Sequence, residues 1–326
     1  MPLDVDMPQQ DSELFAPVGG STPVTIFVHV FHLEIWPEIL ADLNRLAFPY
    51  QLVLTGPHPQ HGLALPHNAV DIEFHRTDNL GRDIGPFLTA FRNTRFATDI
   101  CLKIHTKRSL HRRDGETWRR TILQDLLGNP DKVSRTVTLL RENPNIGLVS
   151  PNCHLVPVRQ LLGSNDDNLK KLLEIYGIDE AAIDMSKALF VAGSMFWFRS
   201  GAFALLRSKG SAVEFEPEGG QLDGTKAHAH ERIFSVMAEL GGFISVTIDE
   251  LTGRDDDAYR ALPAPEKHKR DIALFSQRRE AVDISPFLGP PGPKHQEHDL
   301  SRAQQLYRKL PVGLRRMIRR TLQLPH

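Results

Sequence analysis

The sequence predicts an α/β protein of the Rossmann-like class, with a mostly parallel central sheet covered on both faces. Two observations predict it. Apolar, β-branched runs alternate with stretches of helical period from residue 24 to 250, and strands separated by helices pair in parallel. The conspicuous polar motifs fall just after the predicted strands, where ligands bind in such sheets. With 326 residues, 40% of them hydrophobic and 24% charged, the chain has ample material for a core.

The elements follow in order. Val24–Val30 is an apolar run and a buried strand; Glu34–Leu46 is a helix carrying Ile35, Trp36, Ile39, Leu40, Leu43 and Leu46 on one face. Gln51–Thr55 and Val70–Phe74 are strands. A helix starts at Pro86, since proline suits the first helical position. Ile100–Ile104 is a strand, Gly115–Leu127 and Lys132–Arg141 are helices, Ile146–Val149 a strand and Leu169–Ile175 a helix. Phe190–Phe198 is read as one strand, Lys226–Leu240 as one helix and Phe243–Ile248 as the last strand.

Charge divides the chain. Residues 301–326 hold seven Lys or Arg and no Asp or Glu, against a net charge of −1 overall. Four segments follow: a disordered acidic tail over 1–22, an α/β domain over 23–250, an irregular linker over 251–300 and a basic amphipathic helix over 301–326. In that helix Leu314, Met317, Ile318, Thr321 and Leu322 share one arc, and Arg315, Arg316, Arg319 and Arg320 the other. Such a helix suits an anionic membrane surface, where seven cations contribute at most roughly 7 kcal/mol; docking on the protein's own core is the alternative. The near-neutral balance excludes a chain that coats nucleic acid. Two cysteines, Cys101 and Cys153, make no disulfide framework, and the start lacks a signal peptide's basic and apolar regions. A cytoplasmic protein, peripheral on the inner face of the membrane, is expected. Nothing identifies an oligomeric state.

Three polar motifs carry the chemistry. In Asn79-Leu-Gly-Arg-Asp-Ile-Gly-Pro, Gly81 and Gly85 let a ligand approach the backbone, Arg82 offers a forked donor to phosphate, and Asn79 and Asp83 order the loop or touch ribose and sugar. Capping by Asp83, or an Arg82–Asp83 pair, is the bland reading. In Lys103-Ile-His-Thr-Lys, alternation puts Lys103, His105 and Lys107 on one face of an extended segment, a set of cations that suits a diphosphate; a solvated basic loop is the alternative. A Gly-rich turn then delivers Gln221 and Asp223 before a helix bearing His228 and Glu231. His228 and Glu231, three apart, share a helical face. Asp223 or Glu231 is the candidate base, with His228 beside it; Asp223 is as readily a helix cap. His228 and His230 lie about 200° apart on a helix, too far for joint metal ligation, and no metal site is expected. Gly193 and Ser194 mark a backbone that faces a sugar, and Trp197 a ring that stacks on one, although Met195, Phe196 and Phe198 read as core.

These motifs, in this order, resemble the rhamnan synthesis F protein family of bacterial rhamnose-containing polysaccharide assembly. The matching segments are VHVF at 28–31, WPEIL at 36–40, NLGRDIGPFL at 79–88, KIHTKRSLH at 103–111, WR at 118–119, NPNIGLVSP at 143–151, FVAGSMFWFR at 190–199 and GQLDGTKAHAHER at 220–232. The resemblance implies a GT-A-type glycosyltransferase moving a deoxysugar, rhamnose, from a nucleotide-sugar donor such as dTDP-rhamnose to a lipid-linked or growing cell-surface glycan, with inversion. Many GT-A enzymes hold the diphosphate through a metal on Asp-X-Asp; here the corresponding stretch is basic, so no cofactor is expected and transfer is read as metal-independent. The rival readings are a non-catalytic glycan-binding scaffold and a His-based metal-dependent hydrolase, the latter drawing on the fifteen histidines.

Overall fold

A computed structural model describes residues 22–273 apart from 59–61, 107–113, 218–220, 222, 264, 268 and 272. The chain divides into two compact units. Met1–Ser109 with Glu116–Asp283 holds the fold described below. Of the second, Leu110–Gly115 with Ile284–His326, only Asp114 and Gly115 are described. The tail expected over 1–22, all but its last residue, and the basic helix expected over 301–326 therefore lie outside the described residues.

The strands are β1 (Val24–His29), β2 (Tyr50–Gly56), β3 (Ala69–Arg76), β4 (Ile100–His105), β5 (Ile146–Ser150), β6 (Leu155–Pro157), β7 (Leu189–Val191), β8 (Phe196–Arg199) and β9 (Ile244–Thr247). The α-helices are α1 (Trp36–Leu43), α2 (Ile84–Asn93), α3 (Gly115–Leu123), α4 (Pro130–Glu142), α5 (Asp166–Tyr176), α6 (Ala204–Lys209), α7 (Lys226–Glu231), α8 (Phe234–Leu240), α9 (Ile248–Thr252) and α10 (Asp257–Arg260). Seven strands form one sheet in the order β3-β2-β1-β4-β8-β5-β9, and β6 pairs with β7 alone. The large sheet is parallel except at β8, which runs antiparallel to both β4 and β5. This is the α/β class the alternation predicts.

Period-two alternation sorts the sheet's two faces. Val24, Ile26 and Val28 of β1, Leu102 and Ile104 of β4 and Trp197 of β8 join an aliphatic core with residues of α1 and α4. The intervening residues face the other way, into an aromatic layer. There Phe27, Phe87, Phe91 and Phe198 meet with centroids 5.5–6.2 Å apart, and Phe196, Phe203 and Phe234 continue the layer. Each fully buried ring contributes about 1.5–3 kcal/mol. Lys103 and His105 lie on this aromatic face.

Helix ends follow local chemistry. Asn129 caps α4, its side chain accepting from the N–H groups of Asp131 and Lys132 at 3.0 and 3.1 Å, with Pro130 at the first position. Gly177, at φ 68°, ends α5 in the left-handed conformation that glycine adopts without strain.

Three expectations are corrected. The run Phe190–Phe198 is not one strand: β7 and β8 are separated by a turn in which Gly193 has φ 100° and Ser194 φ 55°, and the chain joins a different sheet after it. Lys226–Leu240 is not one helix but α7 and α8, broken at Arg232 and Ile233. The expected linker after residue 250 is, as far as Asp271, helical and anchored. Buried Arg254 donates to Asp271 at 2.9 Å, and the Tyr259 hydroxyl lies 3.1 Å from both oxygens of that carboxylate. The aspartates at 255–257 take part in this anchoring: Asp255 pairs with Arg135 and Arg260, and Asp256 caps α10. Composition misled here, because an ion pair 17 residues apart in sequence leaves no periodic signal.

Candidate functional site

The sheet order marks a candidate ligand position. From β1 the chain proceeds outward to β2 and β3, then returns to β4 on the other side of β1. The switch point is thus between the carboxyl ends of β1 and β4, the position at which open α/β sheets bind ligands. His29 and His105, the last residues of these strands, are register partners there. His29 Nδ1 is 2.9 Å from Thr55 Oγ1 at the end of β2. Burial drives its pKa down to about 4, aided by the Lys103 charge and opposed by Asp83, so His29 is neutral at pH 7. Thr106 locks the strand ends together: its Oγ1 accepts from the N–H groups of Phe31 and His32, both at 2.9 Å. Sequence reasoning passed over His29, which sits inside an apolar run that reads as ordinary strand.

The Asn79–Gly85 loop reaches this point from the end of β3. Gly81 has φ 70° and Arg82 φ 56°. A Cβ on Gly81 would lie 2.5 Å from the Phe215 ring, and one on Gly85 the same distance from the Leu80 carbonyl; both glycines are required by close approach. Asp83 makes no side-chain cap on α2. Its Oδ2 instead accepts from Lys103 Nζ at 2.5 Å and lies 3.3 Å from His105 Nδ1. Arg82 donates to the Gln221 carbonyl. Leu80 bridges to Pro217, joining this loop to the segment before α7. Asn79 is exposed beside them.

Lys103 is not placed to hold a phosphate. It is 1% exposed, and besides Asp83 it donates to the Ser194 carbonyl and hydroxyl at 2.7 and 2.8 Å. The rings of Phe87, Phe196 and Phe234 surround its ammonium at 5.4–5.8 Å. A cation so enclosed fixes the strained Ser194 turn and the Asp83 loop to one point below the site. Lys107 lies outside the described residues.

The Gly193–Ser194 turn links this point to α7, since Glu231 Oε1 accepts from the Gly193 N–H at 2.7 Å and its Oε2 is 3.2 Å from Arg232. Trp197, expected at the sugar, faces the opposite side of the sheet. It is wholly buried and donates to the Leu126 carbonyl. Asp223 accepts from the Ser164 N–H at 2.9 Å and from Asn165 Nδ2 at 2.7 Å. Burial alone would raise its pKa; these donors and Arg232 outweigh that and hold it below the usual carboxylate range. It therefore ties the start of α5 to this segment and does not cap α7. Thr225 does so, in a capping box with His228. The Thr225 N–H points at His228 Nδ1 (3.4 Å), and Nε2 has no hydrogen-bond partner among the described residues. Burial and the Arg82 charge lower the His228 pKa to about 4. His230 lies apart, wholly buried against the Tyr176 hydroxyl at 2.7 Å.

The site thus gathers His29, His105, Arg82, Asp83, Ser194, His228 and Glu231, from five segments, around the carboxyl edge of β1 and β4. Among the described residues no three of His, Cys, Asp and Glu stand together as a metal cage, and no helix is long and apolar enough to cross a membrane.

A family model described as rhamnan synthesis protein F matches residues 9–240. The chain belongs to that family. An uncharacterized protein of Xanthomonas campestris pv. campestris, WxcX, is 35% identical over 238 residues in each of two strains, covering 72% of this chain. The chain spans about a third of those relatives' length, the aligned part being 34% of each. Core-mannan synthase A from Aspergillus fumigatus, solved in an Mn/GDP form, aligns over 70% of this chain and 68% of its own, with 10% identity and a TM-score of 0.26. For this rhamnan synthesis protein F family member, the motifs that carry the resemblance are those that build the switch-point site.

Proposed function

We propose that the chain is a glycosyltransferase of the GT-A kind, working in polysaccharide synthesis and moving a deoxysugar such as rhamnose from a nucleoside-diphosphate donor to a growing or lipid-linked glycan. One observation carries the reading: the His29–His105 pair at the switch point, with the Arg82–Asp83 loop closing over it. The donor's diphosphate lies against Arg82, His105 and the basic residues that follow β4, beginning with Lys107. In sequence, the stretch from Lys103 to Lys107 is basic where an Asp-X-Asp would supply metal ligands, which supports transfer without a divalent ion.

The chemistry is a displacement with inversion. An acceptor hydroxyl attacks the anomeric carbon, the bond from that carbon to the phosphate oxygen breaks, and the nucleoside diphosphate leaves with the electron pair. The hydroxyl proton passes to a carboxylate, and Glu231 fits this role better than Asp223. Both carboxylates accept hydrogen bonds, Asp223 from Ser164 and Asn165 and Glu231 from Gly193 and Arg232; the donors around Asp223 hold its pKa below the usual carboxylate range, which makes it the weaker base. Glu231→Gln is expected to lower kcat at least a hundredfold while donor affinity stays within about threefold. Equal turnover by the variant removes Glu231 from the mechanism.

Calorimetric titration of dTDP-rhamnose, with GDP- and UDP-sugars as controls, in EDTA and then in Mn²⁺, tests the reading. Binding in EDTA supports it; binding only with Mn²⁺ keeps the transferase and overturns metal independence. No binding of any nucleotide sugar favours a glycan-binding scaffold. The basic stretch 301–326 would hold the enzyme on the anionic inner face of the cytoplasmic membrane. Co-sedimentation with phosphatidylglycerol vesicles, lost in high salt, is the expected result.

A further inference from the structure

Ser194 takes φ 55°, a conformation that residues other than glycine adopt seldom and at a cost. Such strain persists only where the surroundings fix it, and the contacts of Ser194 show what fixes it here. Val191, Ala192, Gly193 and Ser194 form a turn closed by the Ser194 N–H on the Val191 carbonyl at 3.1 Å. Gly193, the third residue, has φ 100°, and glycine is the residue that fills this position when φ is positive. Lys103 Nζ then holds the Ser194 carbonyl and hydroxyl at 2.7 and 2.8 Å.

The destinations of the turn's N–H groups give it a meaning. That of Ala192 goes to the His154 carbonyl at 2.9 Å, and that of Ser194 closes the turn. The Gly193 N–H between them goes to a side chain, Glu231 Oε1, at 2.7 Å. The other oxygen of that carboxylate takes Arg232, which is itself tied to the carbonyls of His228 and Leu161 at 2.8 and 3.1 Å. Glu231 is thus gripped from two sides, yet its side chain is 18% exposed, which leaves room for a hydroxyl to approach.

The anchor of the turn is shared. The Lys103 ammonium also holds Asp83 Oδ2, at 2.5 Å, in the loop whose Arg82 would meet the donor's phosphates. In a displacement with inversion, the attacking and leaving oxygens stand on opposite sides of one carbon. A base and a phosphate seat tied to one buried cation keep their spacing, and a misplacement of about 1 Å in such a site costs about a hundredfold in rate.

We propose that Ser194 is a positioning residue: held by Lys103, its turn aims the Gly193 N–H at Glu231 and so sets the carboxylate that takes the acceptor's proton. This deepens the transferase reading and rests on it for the role of Glu231.

The test follows release of nucleoside diphosphate from dTDP-rhamnose, or from whichever GDP- or UDP-sugar the full chain binds, with water in place of the acceptor. The water oxygen bonds to the anomeric carbon, its proton passes to Glu231, and the nucleoside diphosphate leaves with the electron pair. Ser194→Gly adopts φ 55° without strain and loses the hydroxyl that Lys103 holds. It is expected to slow release about tenfold and to keep nucleotide-sugar affinity within about twofold. Because the turn acts through Glu231, the same substitution in a Glu231→Gln chain is expected to change release by less than about twofold. Equal losses in the two backgrounds, or a Ser194→Gly chain that releases like the parent, overturn the positioning role. So does a Ser194→Gly chain whose nucleotide-sugar affinity falls with its rate, since the turn then serves the donor seat or the fold. A Glu231→Gln chain that releases like the parent takes the base role from Glu231 and this proposal with it, and leaves donor binding standing. A parent that binds nucleotide sugar and releases none has the same consequence. A parent that binds no nucleotide sugar fails at the transferase reading itself.

Discussion

Lys103 shows how far a residue's role depends on what stands around it. The sequence presents it as one of three cations on a strand face; the structure encloses it with Asp83, Ser194 and three phenylalanines. Removing one member of a buried pair leaves the other charge without compensation. Lys103→Met is therefore expected to cost about 3–5 kcal/mol of stability in urea unfolding, and Asp83→Asn in the same chain to restore part of it. A phosphate-binding lysine would show the opposite pattern, with weaker donor binding and unchanged stability. The histidines make a second prediction at this scale. His29, His228 and His230 have pKa values lowered to about 4, 4 and 3, in each case chiefly by burial. Between pH 6.5 and those values the unfolded chain binds protons that the native chain does not, so stability is full above pH 6.5 and falls as the pH drops toward 3. The slope approaches about 1.4 kcal/mol per pH unit for each histidine. Melting curves from pH 7 to 4 measure it, and His230→Phe should flatten the profile. A Tm that holds constant over that range contradicts the burial argument.

Among the elements, those that follow one period throughout were legible from composition, and those that change direction were not. The strands β1, β2 and β4 are apolar on both faces because the sheet is covered on both sides, and they stand in the sequence as continuous runs. The run at 190–198 looked the same, yet Gly193 and Ser194 turn the chain through positive φ. The glycine was visible in the sequence; the need for a non-glycine residue beside it was not, because Ser194 is held there by Lys103, 91 residues away. The candidate site divides likewise. Arg82, Asp83, His105, His228 and Glu231 were legible because they cluster after strands or at a helix start. His29 was hidden in an apolar run. The cap of α7 offers a measurable case. Thr225 and His228 satisfy each other's backbone N–H, so Thr225→Val should cost about 1 kcal/mol. Since the same box holds the His228 ring, that variant should also impair turnover more than Thr225→Ser, which keeps the hydroxyl. Equal stability for Val and Ser at this position would show that the cap contributes nothing.

At the scale of the whole molecule, the question is where the folded unit ends. Composition places the boundary at residue 250, where Asp, Pro, Gly and Lys become frequent. The buried cluster of Arg254, Tyr259 and Asp271 places it beyond Asp271, and Asn145, just before β5, donates to the same carboxylate at 3.3 Å. The sheet edge is involved as well, because β9 pairs only with β5 and α9 follows it directly. A chain ending at residue 250 would lose Leu251, which is fully buried, together with the partners of Asn145 and Arg135. It would expose apolar surface on α4 and the end of β9. A chain ending at residue 283 keeps all of these. The expected result is that the chain ending at 283 melts within a few degrees of the parent and retains nucleotide-sugar affinity, while the chain ending at 250 loses several kcal/mol or fails to fold. Thermal melts of the three chains decide it. Equal melting of the shortest chain and the parent would show that the ion-paired segment rests on the core without supporting it. A chain ending at 283 that melts as low as the chain ending at 250 would assign the missing stability to residues 284–326 instead.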